Sequence, residues 1–308
     1  MTNITQAPCG LTEVSAYPAF IFAYSLVFLI SLVLNSITMR AYFCSNQRVQ
    51  SSVMVYMKNL AAADFCLCLC LPLRIAHNAT YSITIRHIYC SFGATAFYIN
   101  MYASILFMDI IAINRYLKIV RPLETHALQT VRTARHISIG TWISLFAFTS
   151  IYLILFLQTS WNLDPKLSCE SLHSHSLRVA YKIIHCVSFV VFVFVLMSLV
   201  FLYWKTLQKI RQAELSAQTV SSSNKFNKSK RNMLVLVVVF CVCFVPYHLV
   251  RLPYVFRSDC TFNILKELTI LLSVLNVCFD PIIYFIFCKA FRNHLRKKYL
   301  QRSSEDQT

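Results

Sequence analysis

Glycine and charged residues are scarce in this chain. Only three of its 308 residues are glycine, which excludes the glycine-rich loops of P-loop and dinucleotide-binding proteins. Charged residues make up 13% of the chain and hydrophobic residues 57%, too few polar side chains to cover a soluble domain. There is no His-Glu-x-x-His or Cys-x-x-Cys pattern, and the sequence predicts no enzyme, cofactor or metal site. The composition indicates a membrane protein.

Seven apolar runs are long enough to cross a bilayer, which takes about 20 residues. They cover approximately 17–43, 52–76, 88–119, 134–158, 178–210, 231–256 and 265–288. The first sixteen residues lack the basic start of a signal peptide, so we expect the first run to be a retained span. We predict a single all-α domain over 1–308, with an amino terminus at 1–16 and a helix bundle at 17–288. The basic, amphipathic segment within 289–308 predicts a helix on the membrane surface, followed by a tail.

Basic residues orient this bundle. The chain has 29 Lys and Arg against 12 Asp and Glu, and most of the basic residues fall on one side if the amino terminus lies outside the cell. Asn3 and Asn78 then begin glycosylation sequons on the outer side. Four cysteines also fall in outer segments, where two disulfides are expected, although the spacing alone leaves three pairings open. These are Cys9, Cys90, Cys169 and Cys260.

Short motifs on successive spans resemble the rhodopsin-like (class A) G-protein-coupled receptors over essentially the whole chain. They are Asn35 in LVLNSI, Asp64 in NLAAADF, NRY at 114–116 before IVRPL, CFVPYH at 243–248 and NVCFDPIIY at 276–284. The resemblance implies disulfides Cys90–Cys169 and Cys9–Cys260. It also implies a polar pocket, with or without sodium, formed by Asp64, Asn276 and Asp280. The residues expected to carry coupling are Asn114, Arg115, Tyr116, Pro122, Leu123, Tyr203, Asp280, Pro281 and Tyr284.

Two residues depart from the usual pattern of that class. Asn114 precedes Arg115 where an aspartate is usual, so the arginine lacks an adjacent charge and we predict raised basal signalling. Asp109 lies within the third span, where the class is usually apolar, and a buried carboxyl group needs a partner. The sequence does not name that partner.

The segments FVPYHLVRLPY, LKEL and DPIIYFIFCKAFRNHL resemble the purinergic nucleotide receptors, in the branch that includes the platelet ADP receptor and the UDP-sugar receptor. His248, Arg251 and Tyr254 are spaced three apart, near one helix face, and Lys266 begins the next span. Phosphate prefers such charge-assisted donors, whereas the alternative for these cations is snorkelling to lipid headgroups. The ligand-binding residues expected are Arg251, His248, Tyr254, Lys266, Tyr98, Tyr102, His185 and Arg74.

The resemblance therefore predicts a plasma-membrane receptor for an extracellular anionic ligand, nucleotide-like or bearing a lipid phosphate. Its expected partners are a heterotrimeric G protein of the inhibitory class, arrestin and membrane lipids, with no nucleic acid. His173, Tyr181 and His185 stand where the nucleotide branch has other residues, so the ligand need not be a nucleotide. A lysophospholipid or peptide receptor of the same fold, or a membrane transporter, are the alternatives.

Overall fold

The computed structural model describes residues 10–43, 51–80, 82–120, 127–158, 175–216, 220–256 and 260–287. These residues form helices and no strand, and seven helical segments are long and apolar enough to cross a membrane. The all-α seven-span prediction is confirmed. The predicted surface helix after residue 288 lies outside the described residues.

The first span is the helix Gly10–Phe43, and the second is Ser52–Ala79. The third is continuous through Ile83–Ile88, a π-helical turn at Tyr89–Gly93 and Ala94–Val120. A short 3-10 helix, Ala127–Gln129, precedes the fourth span, Val131–Leu157. The fifth is His175–Ser216, the sixth is Val220–Phe256, and the seventh consists of Cys260–Val274 and Asn276–Phe287.

The third span lies at the centre of the bundle and the fourth at its edge. Of the most apolar stretch of each span, 67% is buried in the third and 11% in the fourth. Large apolar side chains cover the outside, among them Phe22 and Phe194, each 72% exposed. A water-soluble protein does not expose such a continuous apolar surface. The chain is a multi-pass membrane protein whose outer face meets lipid.

Proline and asparagine together fix the first span to the seventh. Pro281 has no N–H, so the carbonyl four residues earlier, that of Val277, loses its helical donor. The amide nitrogen of Asn35 donates to this carbonyl at 2.8 Å. A buried carbonyl would otherwise cost free energy in the low-dielectric interior. Asn35 therefore satisfies the backbone group that the proline leaves open.

One polar contact and one close packing position the second span against its neighbours. The indole nitrogen of Trp142 in the fourth span donates to Asn59 in the second at 2.9 Å. Gly93 lies in the π-helical turn, where a β-carbon would stand 2.8 Å from Tyr89 and 3.0 Å from Leu73. The absence of a side chain at Gly93 lets the outer part of the third span pack closely against the second. That packing places Tyr89 beside Arg74.

Candidate ligand cavity and coupling surface

All seven spans contribute to one cavity of about 480 Å³ at the predicted outer end of the bundle. This volume falls in the range of small-molecule sites, about 300–1,000 Å³. Among the described residues, four cationic side chains and one carboxylate line it. These are Arg74, Arg86, Arg251 and Lys266, with Glu267 as the acid. The lining thus carries an excess of positive charge, which attracts anions.

Arg251 of the sixth span is held among aromatic rings. Its side chain donates a hydrogen bond to the hydroxyl of Tyr181, and the residue is only 7% exposed. The guanidinium carbon lies 5.9 Å, 5.5 Å and 5.3 Å from the ring centres of Tyr98, Tyr181 and Tyr254. Such cation–π contacts orient a planar cation without neutralising it. Arg251 therefore points into the bundle, away from the lipid, which argues against the snorkelling alternative.

Lys266 at the start of the seventh span is positioned by Tyr254. Its ammonium nitrogen donates to the Tyr254 hydroxyl at 3.2 Å and lies 4.5 Å from the ring centre. The same nitrogen is 3.9 Å from a carboxylate oxygen of Glu267. Tyr254 itself is 4% exposed and is not among the residues that line the described cavity. Tyr254, which we predicted as a ligand residue, contacts the two cations Arg251 and Lys266 that line the cavity.

Arg74 is engaged in a buried ion pair. Its guanidinium lies 2.6 Å from a Glu267 carboxylate oxygen, donates to the hydroxyl of Tyr89, and sits 4.9 Å from the Tyr24 ring centre. A partner this close balances the arginine charge, so we expect Arg74 to attract an anion less than an arginine without a carboxylate partner would. Glu267 was missed as a site residue. The available signal was a carboxylate directly after Lys266 in an otherwise apolar span.

A hydrogen-bonded chain in the cavity wall joins the third, fifth and sixth spans. The Tyr247 hydroxyl donates to the Tyr98 hydroxyl at 3.0 Å, and Tyr98 lies 2.8 Å from Nε2 of His185. Nδ1 of His185 is 2.9 Å from the Tyr181 carbonyl, which can only accept, so Nδ1 carries the proton. In the neutral ring Nε2 then accepts from Tyr98. His185 and Tyr98, two of the expected ligand residues, line the cavity, and so does Tyr247, which was not among them.

A second tyrosine–histidine pair lies one helical turn deeper on the third span. Tyr102 lies 2.9 Å from Nε2 of His248, whose Nδ1 donates to the Phe244 carbonyl at 2.8 Å. The His248 ring stacks on Phe192 at 3.8 Å. Tyr102 lines the cavity, but His248 is 2% exposed and does not. The spacing placed His248 near the correct helix face, yet its ring packs behind Tyr102.

Several predicted outer features fall outside the described residues. Cys90 is buried and disulfide-bonded, whereas Cys9, Cys169 and Asn3 lie outside the described residues. Cys260 begins the seventh helix. The pairings therefore stay predictions.

Asn78 lines the cavity beside His77, and the two side chains are 3.1 Å apart. Its amide nitrogen, the atom that would carry a glycan, is buried. Glycosylation at this position stays a prediction, and the burial of that nitrogen weighs against it.

A cluster of buried oxygens lies between the second, third and seventh spans. The Tyr284 hydroxyl donates to Asp64, and Ser104 donates to the other Asp64 oxygen at 3.4 Å. The Asp280 carboxyl group neighbours Asp64, and its oxygens and the Asn276 amide have no hydrogen-bond partner among the described residues. An oxygen-rich, underbonded cluster fits a hard cation such as sodium. Asp64, Asp280 and Asn276 would hold it there.

The side chain of Asn114, at the predicted inner end, is hydrogen-bonded to two neighbouring segments. Its amide nitrogen donates to the Ser52 hydroxyl and to the Leu128 carbonyl, each at 3.2 Å. It therefore ties the third span to the second and to the 3-10 helix. The neighbouring Arg115 and Tyr116 are half-buried, as is Tyr203 in the fifth span. Pro122 and Leu123 lie outside the described residues.

Asp109 finds its partner in the fifth span. The Ser198 hydroxyl donates to an Asp109 carboxyl oxygen at 2.8 Å, and Asp109 is 7% exposed. The two residues are 89 positions apart, so the sequence alone could not name the pair. This contact links the third and fifth spans.

Comparison with known proteins agrees with this geometry. Residues 35–284 match the 7 transmembrane receptor (rhodopsin family) model. The chain is 32% identical to G-protein coupled receptor 87 of Mus musculus over 89% of its length and 78% of the relative's. It is equally identical, 32%, to purinoceptor 14 of Bos taurus over 89% of its length and 83% of the relative's. Probable G-protein coupled receptor 34 of Pan troglodytes is 27% identical over 94% of this chain and 77% of its own.

The relatives named here are receptors, and the family match includes the NRY and NVCFDPIIY motifs. The chain belongs to the rhodopsin family of seven-transmembrane G-protein-coupled receptors and resembles its purinergic branch.

Proposed function

We propose that the chain is a plasma-membrane receptor, with its amino terminus outside, for an extracellular anionic ligand. The observation that carries this proposal is the cavity lining, with four cations against one carboxylate among the described residues. Anionic groups such as phosphate gain charge-assisted hydrogen bonds from arginine and lysine. The similarity to purinoceptors 14 and 13 supports a nucleotide-like ligand.

Signalling in this proposal is a shift between two arrangements of the spans. Arg251 and Lys266 belong to the sixth and seventh spans, so an anion that contacts both favours arrangements that bring these spans together. A ligand that binds one arrangement better than the other moves the equilibrium by that difference in affinity. Arg115 and Leu123 at the inner end would then contact a heterotrimeric G protein of the inhibitory class. Arrestin binding at the tail completes the proposal.

The test compares Arg251→Ala with wild type in cells that report G-protein activation. The probes are nucleotides, nucleotide sugars and lysophospholipids. A hydrogen bond to a charged group contributes about 1.5–3 kcal/mol, so the agonist concentration for half-maximal response should rise by about ten- to one hundred-fold. Lys182→Ala is the matched control, because Lys182 is a cation of the outer fifth span that packs on Phe256 and does not line the cavity.

Equal responses of Arg251→Ala and wild type to every anionic agonist would contradict the anion site. Solute flux or current that persists without G protein would contradict the receptor proposal itself and favour a transporter.

A further inference from the structure

The cavity has a second, apolar region between the third, fourth and fifth spans. Its side chains are Leu106, Leu145, Phe148, Ile184, Val187 and Val191, together with the hydroxyl residues Ser144, Thr149 and Ser188. The Thr149 hydroxyl donates to the Leu145 carbonyl of its own helix at 2.8 Å, so it has no need of a ligand partner. We call this region the four–five branch.

The four–five branch reaches the lipid-facing surface of the bundle. Val187 lines the cavity and is also 43% exposed, and Ser144 on the fourth span, another lining residue, is exposed as well. Ser144 and Leu145 lie near the middle of the helix Val131–Leu157. The hydrocarbon core of a bilayer is about 30 Å thick, and the middle of a spanning helix lies well inside it. The cavity therefore opens toward lipid chains at this point.

The chemistry of the two regions is opposite. Arg251 and Lys266 favour an anionic group, whereas a charged group placed in the four–five branch would lose water and gain at most the hydroxyls of Ser144 and Ser188. A hydrocarbon chain is at no disadvantage there, because its surroundings in the branch are as apolar as those in the bilayer. One continuous cavity with a cationic region and an apolar region that opens to lipid matches an amphiphile.

We propose that the ligand is an anionic amphiphile with one hydrocarbon chain. This rests on the proposed function, because the anionic head lies at Arg251 and Lys266. The hydrocarbon chain lies in the four–five branch, and its end reaches the bilayer between the fourth and fifth spans. A total volume of about 480 Å³ suits a small head with one chain.

The experiment measures direct binding of monoalkyl phosphates, from ethyl to octyl, to the purified full chain in lipid nanodiscs. Each methylene that leaves water strengthens binding about three- to four-fold, so octyl phosphate should bind at least one hundred-fold more tightly than ethyl phosphate. Empty nanodiscs give the part of this gain that is simple partition into lipid.

The decisive variant is Val187→Trp, which fills the four–five branch. Its matched control is Val190→Trp, one turn along the same helix, where the side chain is 66% exposed to lipid and does not line the cavity. Relative to this control, Val187→Trp should weaken octyl phosphate binding by about ten-fold or more, since the indole displaces several methylenes. Ethyl phosphate binding should change less than about two-fold.

A second pair of variants keeps the test valid if Val187→Trp does not fold. Thr149→Trp fills the branch from the fourth span, and Ile151→Trp, 51% exposed and absent from the lining, is its control. Thermal unfolding of all four variants in nanodiscs identifies any that are misfolded, and the conclusion is drawn from the pair that folds.

The outcomes separate this inference from the proposed function. If ethyl phosphate or a nucleotide binds in an Arg251-dependent way but octyl phosphate binds no more tightly than lipid partition predicts, the amphiphile is wrong and the anion site stands. If octyl phosphate binds equally to the branch-filled variants and their controls, the chain lies elsewhere and the inference is overturned. If Arg251→Ala changes the binding of no phosphate probe, the proposed function fails.

Discussion

Single polar residues in this receptor derive their roles from partners on other helices. Asn114 shows this most clearly, because an amide donates where a carboxylate can only accept. Its nitrogen donates to Ser52 and to the Leu128 carbonyl, which connects three segments at the predicted inner end. The neutral amide carries no charge with which to attract Arg115. We expect both features of the amide, the missing charge and the added hydrogen bonds, to affect basal signalling.

Replacing Asn114 with aspartate should lower signalling in the absence of ligand. The added carboxylate attracts Arg115 and stabilises the resting arrangement by about 1 kcal/mol, which corresponds to a roughly five-fold fall in basal nucleotide exchange on the G protein. The control is Ser52→Ala, which removes one of the Asn114 hydrogen bonds without adding charge. Unchanged basal exchange in Asn114→Asp, at equal surface expression, would count against the idea.

The sequence offered candidate site residues but could not name their partners on other helices. Arg251 and Lys266 stood out because cations within apolar spans are costly and need a reason. Glu267 was overlooked because its partner Arg74 is 193 positions away, and no local pattern joins them. The three-residue spacing put His248 on the correct face, but side-chain direction depends on packing against Phe192 and Tyr102. Contacts across helices are set by tertiary packing, which periodicity does not encode.

At the scale of the helix, hydropathy predicted the number and order of the spans, but not their ends or irregularities. The third helix begins at Ile83 rather than 88 and contains a π-helical turn. The break between Val274 and Asn276 in the seventh was also not foreseen. Polar residues continue a helix beyond its apolar core when packing supports them, so an apolar run marks the membrane rather than the helix.

Two glycine substitutions should act in opposite directions. At Gly93 an added methyl group meets Tyr89 at 2.8 Å and Leu73 at 3.0 Å, whereas at Gly140 it meets nothing within 4 Å. We expect Gly93→Ala to destabilise the protein by about 1–3 kcal/mol through overpacking. Gly140→Ala should be neutral or stabilise it by up to about 1 kcal/mol, because alanine favours the helix. Thermal unfolding of the purified receptor in nanodiscs measures both.

Because Tyr89 contacts Arg74, Gly93→Ala should also weaken agonist binding, while Gly140→Ala should leave it unchanged. Equal melting temperatures for the two variants would contradict the close packing described at the π-helical turn.

At the scale of the whole molecule, the Arg74–Glu267 ion pair joins the second span to the seventh in the wall of the cavity. The side chains are 6% and 21% exposed, so the pair is largely removed from water. In such a setting the loss of one partner is more harmful than the loss of both, because a single buried charge remains. The pair therefore makes the bundle sensitive to any change that unbalances it.

Glu267→Ala should lower the free energy of unfolding by about 3 kcal/mol or more, and the double variant Arg74→Met with Glu267→Leu should recover most of it. The measurement is a double-mutant cycle of thermal stability in nanodiscs without ligand. The outer-surface variant Lys182→Ala is the control and should change stability little. Simple additivity of the two single substitutions would rule out a coupled pair.

The hydrogen bond from Asn35 to the Val277 carbonyl anchors the seventh span to the first at one point. We expect the chain beyond this point to be able to tilt while the hydrogen bond keeps it connected to the first span. Tyr284 lies seven residues further on, so its lever arm is about 10 Å at 1.5 Å per residue. A tilt of about 10° at Val277 would displace the Tyr284 ring by about 2 Å, enough to separate its hydroxyl from Asp64. A small tilt of the helix at the Val277 carbonyl would thus make or break the hydrogen bond between Tyr284 and Asp64.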